Sequence, residues 1–383
     1  LSPDSISLFE SLRERSLLEL ELTKAAGKQV VGLYCVFAPK ELIRAAGAIP
    51  VGLCGKNQNS IRDAEAVLPA NLCPLIKSSY GYAITETCPY LDAADLVIGE
   101  TTCDGKKKMF ELLREIKPLF LMHLPPTSEG EGALNYWIEE VIRLKGFLET
   151  QTQTRITDEE LSRQIEIHNE ERRLLKAVLG LCKDDPVPIS GLDMMTVMET
   201  KSFTVNLDDY GRALQQLFNE LEIMKSEGKS VVRPETPRIL LTGCPVGKGS
   251  EKVVRLIEEC GGIVVCQENC SGIKGFDLLV DEKDDGDPYR AIAQRYLMTP
   301  CSCMTPNPGR INLIGRLVAD FKIRGVVDLT WHCCHTYNIE SHFIREFLSK
   351  EHGIPMLHIE TDYSASDTGQ LKTRIEAFLE MLH

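Results

Sequence analysis

Fourteen cysteines in 383 residues set the chemical question for this chain. In an oxidising compartment they would pair as disulfides. Kept reduced, they are either small apolar core residues or thiolates open to a metal. The segment Leu1 to Gly27 reads as a charged helix rather than a signal peptide, so reduced thiols are expected. With only 8 histidines, thiolates outnumber any imidazole pairing, which favours iron–sulfur chemistry over catalytic zinc. Tight CxxC knuckles of structural zinc are absent. Cys301–Cys303 and Cys333–Cys334 are the only close pairs. From spacing alone two readings stay open: a cluster held by tertiary structure, or inert buried cysteines.

The cysteines divide by surroundings. Cys182 and Cys260 lie in helical, apolar stretches and read as packing residues. Cys54 and Cys266 end strands and read as core, and Cys88, before Pro89, fits either role. Trp331 to His335, WHCCH, is rich in ligand types, and a hydrogen-bonding or proton-donating role suits His332 or His335 better than ligation. The stretch Gly243 to Ser250, GCPVGKGS, looks like a phosphate loop. It has three residues between its first two glycines and no Gly-Lys-Ser/Thr, so an ATP site is rejected. The acidic run Asp281 to Asp287 reads as a solvated loop.

Strands and helices must position these thiols. Short apolar, β-branched runs at Gln29–Tyr34, Ala48–Leu53, Ala94–Gly99 and Leu119–His123 alternate with helical segments. From Gly132 to Gly228 the pattern is helical only, with Thr157 and Glu160 forming a capping box. Strands resume at Arg238–Thr242, Ile263–Cys266, Gly325–Thr330 and Ile354–Ile359. The two strand-bearing segments match in order: strand then cysteine (Cys35, Cys244), second strand then cysteine (Cys54, Cys266), cysteine around a helix (Cys73; Cys301 and Cys303), strand then cysteine (Cys103; Cys333 and Cys334). The expected fold is α/β: two similar doubly wound, Rossmann-like parallel-sheet domains, residues 1–130 and 237–383, joined by a helical connector, 131–236. Ligands of such sheets bind beyond the carboxyl ends of the strands, where Cys35, Cys103, Cys244 and Cys334 fall.

Composition bounds the rest. A hydrophobic fraction of 43% suffices for two cores. A net charge of -13 argues against nucleic acid or anionic lipid as partners. No apolar run approaches the ~20 residues needed to span a bilayer, so a soluble, cytoplasmic protein is expected.

The stretches YCVFAPKELIRAAGAIPV, NLCPLIKSSYG, GETTCDGKKKMFELL, ENCSG, CCHTYNIES and IETDYSASDTGQLKTRIEAFLEML together resemble the 2-hydroxyacyl-CoA dehydratase and benzoyl-CoA reductase family along nearly the whole chain. The resemblance implies a four-iron cluster held by Cys35, Cys103 and Cys334, the CHTYNIE stretch selecting Cys334 over Cys333. The additional cysteines bring the chain nearer to the double-cubane branch, in which six cysteines hold an 8Fe-9S cluster. Cys73, Cys270 and Cys301 are the expected second set, with Cys244, Cys303 and Cys88 in reserve. That branch implies a homodimeric reductase of a small unsaturated substrate, fed by a separate ATP-hydrolysing iron–sulfur reductase. The alternatives are a dehydratase subunit with one 4Fe-4S cluster, and a non-catalytic electron carrier. The run Lys106-Lys107-Lys108 is expected to present a positive patch for the electron donor.

Overall fold

The computed structural model describes residues 2–283 and 286–382. Two four-stranded parallel sheets form the frame. The first holds β1 (Val30–Leu33), β2 (Ile49–Gly52), β3 (Leu96–Glu100) and β4 (Leu119–Met122) in the order β2-β1-β3-β4. The second holds β5 (Arg238–Gly243), β6 (Ile263–Glu268), β7 (Gly325–Trp331) and β8 (Met356–Thr361) in the order β6-β5-β7-β8. The halves thus share one topology, and every strand expected from the apolar runs is present. The inner strands β1, β3, β5 and β7 are buried along their whole length. Helices cover both faces of such sheets, which is why these strands read as continuous apolar runs.

Between the sheets run helices Glu131–Thr152, Asp158–Gly180, Gly191–Thr200 and Leu207–Ser226. Thr157 caps the second of them, its hydroxyl accepting from the Glu160 N–H at 3.2 Å. These helices pack on both halves. Helix Glu131–Thr152 lies against β4 and helix Pro288–Leu297, while Asp158–Gly180 lies against helix Lys40–Ala45. The core is correspondingly continuous: one buried apolar cluster joins Tyr34, Met109 and Phe110 of the first half to Ile239, Val253 and Trp331 of the second.

Four helices go beyond the sequence expectations: Ile61–Ala64, Pro89–Ala93, Gly191–Thr200 and His335–Phe347. The first two are too short to show a 3.6-residue period. Gly191–Thr200 is rich in Met and Thr but carries a cap, the Ser190 hydroxyl accepting from the Asp193 N–H at 3.0 Å. Helix His335–Phe347 starts on a polar turn that hides its periodicity. Residues 284 and 285 of the acidic run lie outside the described residues. No helix among the described residues is long and apolar enough to cross a membrane.

Candidate metal centre

Because all strands of each sheet run parallel, their carboxyl ends share one edge, and the loops leaving them converge on a cavity of about 510 Å³ between the halves. Ten cysteines line it: Cys35, Cys54, Cys73, Cys103, Cys244, Cys270, Cys301, Cys303, Cys333 and Cys334. Cys35 and Cys54 follow β1 and β2, and Cys103 follows β3. Cys244, Cys270 and Cys334 follow β5, β6 and β7. Gly243 makes the turn into Cys244 at φ +108, where a Cβ would stand 2.1 Å from the Leu329 carbonyl, so only glycine serves. Cys73, Cys103 and Cys334 each occupy the N-cap of a helix, where free N–H groups favour a thiolate. The Lys106 N–H points at the Cys103 sulfur from 3.5 Å.

The thiols fall into two groups of close neighbours, each drawn from both halves. In one, Cys35 neighbours Cys270, Cys270 neighbours Cys301, and Cys301 neighbours Cys303. In the other, Cys73 and Cys244 both neighbour Cys334. Cys103 lies between, within electrostatic reach of Cys334 and Cys301. Hydrogen bonds from neighbouring thiols hold Cys334 and Cys301 well below the usual thiol range. The bond from Cys270, followed by the charge of Lys106, brings Cys35 to about 7. These same partnerships, then burial, push Cys73, Cys270 and Cys303 up, and burial, then Cys334, pushes Cys244 up. Among the described residues, no three His, Cys, Asp or Glu side chains close on one point as ligands of a single ion would.

The loops are braced to one another. Ser271, beside Cys270, donates to the Val246 carbonyl at 2.5 Å and accepts from its N–H at 3.1 Å. Ser302 donates to Thr336 at 3.0 Å, joining the Cys301 loop to the Cys334 loop. Trp331, 1% exposed, donates its indole N–H to the Pro245 carbonyl at 3.2 Å, and its backbone N–H faces the Cys244 sulfur at 3.4 Å. Beneath the cavity floor lies a buried charge network. Glu268 forms an ion pair with Lys274 at 2.8 Å and accepts from Arg310 at 3.3 Å, Arg310 reaches Glu340 at 2.5 Å, and Lys274 donates to the Tyr337 hydroxyl at 3.2 Å. The thiols are therefore held by a preformed scaffold.

Similarity to known proteins bears on this arrangement. The family model described as 2-hydroxyglutaryl-CoA dehydratase, D-component, matches residues 35–382. The chain belongs to the 2-hydroxyglutaryl-CoA dehydratase D-component family. It is 42% identical to YjiM of Escherichia coli (strain K12), provisionally named a dehydratase subunit, over 99% of this chain and 98% of that one. It is 25% identical to the beta subunit of the lactoyl-CoA dehydratase of Anaerotignum propionicum, over 93% and 92% of the two chains. It is 24% identical to a benzoyl-CoA reductase subunit of Thauera aromatica, over 77% and 75%. This D-component chain is thus related to dehydratase and reductase subunits alike.

The cysteines singled out by sequence, Cys35, Cys103, Cys334, Cys73, Cys270 and Cys301, all line the cavity. Their grouping differs from the expected one: Cys35 joins Cys270 and Cys301, whereas Cys334 joins Cys73. Of the reserves, Cys303 and Cys244 belong to the two groups, and Cys88 caps helix Pro89–Ala93 away from the cavity lining. Cys54 lines the cavity but donates to the Tyr34 carbonyl at 2.7 Å. Cys182 and Cys266 are buried in the core, and Cys260 caps the end of helix Lys252–Glu259. His335 lines the cavity and His332 does not.

The expected lysine patch is corrected. Lys106 is buried and turned inward, its amine donating to the Tyr34 carbonyl at 3.3 Å. Burial works against its charge, but Cys35, Cys54, Glu100 and Cys103 around it keep it protonated. Lys107 pairs with Asp104 at 2.5 Å and Lys108 pairs with Glu111, so the outer two are neutralised on their own helix. In the Gly243 to Ser250 loop, the Lys248 N–H is taken by Glu199 at 3.1 Å, a carboxylate where a nucleotide loop would bind phosphate.

Proposed function

We propose that this chain is the iron–sulfur component of a low-potential reductase, holding a double-cubane (8Fe-9S) cluster and reducing a small unsaturated substrate. The observation that carries the reading is the pair of thiol groups in one cavity, with Cys103 between them. One four-iron unit needs at most four thiolates; two adjoining groups of thiols fit two linked units. The donor set is all sulfur, as iron–sulfur clusters require. Lys106 and Lys274, both buried beside it, offset the negative charge such a cluster brings.

When bound, the cluster supplies electrons at low potential, down to roughly −700 mV for this class. The chain's own residues brace the thiolates through Ser271, Ser302 and Trp331. Reducing a multiple bond consumes two electrons and two protons. Electrons that low in potential are delivered by a separate ATP-hydrolysing iron–sulfur reductase, since the Gly243 loop holds Glu199 in place of a phosphate. Two copies of this chain form the working unit. The second reading, a dehydratase subunit with one 4Fe-4S cluster, is favoured by the names of the relatives.

Anaerobic purification followed by iron and sulfide analysis separates the two. The double-cubane reading expects about eight irons per chain and reductase activity that needs both ATP and the partner. A content of about four irons, with dehydration of a 2-hydroxyacyl-CoA, establishes the second reading instead.

A further inference from the structure

The cavity is lined by cations as well as thiols. Lys40, the first residue of helix Lys40–Ala45, and Lys201, which follows helix Gly191–Thr200, both line it. So do Arg172 and Arg295. These two arginines are already satisfied: Arg172 by Glu41 at 2.5 Å, Arg295 by the Leu278 and Gly275 carbonyls at 3.1 and 2.8 Å. Lys40 and Lys201 have no ion-pair partner among the described residues. Glu171 is the carboxylate that faces both. The Lys201 amine lies 5.0 Å from the Phe276 ring centre and against Gly275, whose Cβ position is 2.5 Å from it and 3.5 Å from the Cys270 carbonyl. The Lys201 amine therefore borders the loop that carries a thiol of the first group.

Other cations already stand beside the thiols. Lys106 acts on Cys35 and Lys274 on Cys301, whereas Lys40 and Lys201 act on each other. Lys40 and Lys201 share Glu171, and the other carboxylate beside Lys40, Glu41, is held by Arg172, so cations outnumber carboxylates here, inside a chain of net charge -13. A cost of this kind is sustained when a ligand completes the charge. Burial and the charge of Lys40 lower Lys201 to about 7, and an anion bound beside it would raise it again.

We propose that Lys40 and Lys201 form an anion subsite, and that the substrate reaching the thiol-lined cavity is a small molecule bearing a carboxylate. A free acid is favoured over a coenzyme A ester because the cations lie inside a cavity of about 510 Å³ that the metal centre shares. The phosphates of coenzyme A sit at the far end of a long arm, away from the reacting acyl group. The proposal rests on the reductive reading above for the word substrate, but the binding it describes does not.

The test is calorimetric titration of the anaerobically purified holoprotein at pH 7 and low ionic strength. Crotonate is compared with crotonamide, inorganic phosphate and coenzyme A. Crotonate is expected to bind at least tenfold more tightly than the isosteric amide and more tightly than phosphate. Lys40→Met and Lys201→Met should each weaken crotonate about tenfold, Lys201→Arg should restore most of it, and the visible iron–sulfur spectrum should stay unchanged in all three. Equal binding of acid and amide overturns the subsite, and that comparison needs no variant to fold. Binding of coenzyme A or phosphate in preference to crotonate overturns the choice of a small carboxylate. Crotonate binding by a chain that shows no reductase activity with its partner refutes the functional reading and leaves the subsite standing.

Discussion

At the scale of single residues, the position of a sulfur decides its meaning more than its identity does. Cys334 neighbours two other thiols at a helix N-cap, whereas Cys88, also at an N-cap, is outside the cavity lining. Cys334→Ala is expected to lose half or more of the bound iron, and Cys88→Ala to keep all of it, by metal analysis of the two variants purified side by side. Equal iron in both would remove Cys334 from the ligand set. The strand-end cysteines could be picked out individually from the sequence, because a thiol after an apolar run in a parallel sheet must sit at the binding edge. Their division into two groups could not. It depends on how the halves face each other, which no local pattern encodes. Lys106 defeats a reading from charge for a related reason: charge patterning gives a helix's composition, but not that its third residue turns under the strand ends toward Tyr34.

At the scale of elements, two joints carry the most weight. Trp331 ends β7, packs edge-on against Tyr363 with ring centres 4.9 Å apart, and steadies the Cys244 loop. Trp331→Ala should cost about 3–5 kcal/mol through the void it leaves, read as a fall in the denaturation midpoint. Trp331→Phe keeps most of the packing and loses the bond to Pro245, and should cost less than half as much. The second joint is Glu258, on helix Lys252–Glu259, which accepts from the Gly191 N–H at 2.6 Å and so caps helix Gly191–Thr200. Burial raises its carboxyl from 4.5 to about 7, against the pull of its backbone donors. The folded state then holds a proton that the unfolded chain has released between about pH 4.5 and 7. Stability from this group is therefore present in full at the acid end of that window and falls as pH rises through it. Glu258→Gln should flatten that part of the stability–pH curve, by at most ~3 kcal/mol across the window. A slope unchanged by the substitution would show that Glu258 ionises freely.

At the scale of the whole molecule, the strand count, the parallel sheets and the repeated topology were all legible, because each strand contains an apolar run and the four inner ones are buried throughout. The connector was legible as helices but not as a clasp. Its contacts with helices Lys40–Ala45 and Pro288–Leu297 join residues more than a hundred positions apart. The approach of Lys40 and Lys201 to one cavity was invisible for the same reason, the two coming from segments that no motif connects. Each thiol group takes one member from the first half, Cys35 or Cys73, and the rest from the second. Any hinge motion that parts the halves must pull both groups open together. A polynuclear centre bound there would act as a two-point rivet across the seam. Its ligation free energy would then count directly toward holding the halves shut, and stripping it would loosen the seam while each sheet kept its own hydrogen bonds.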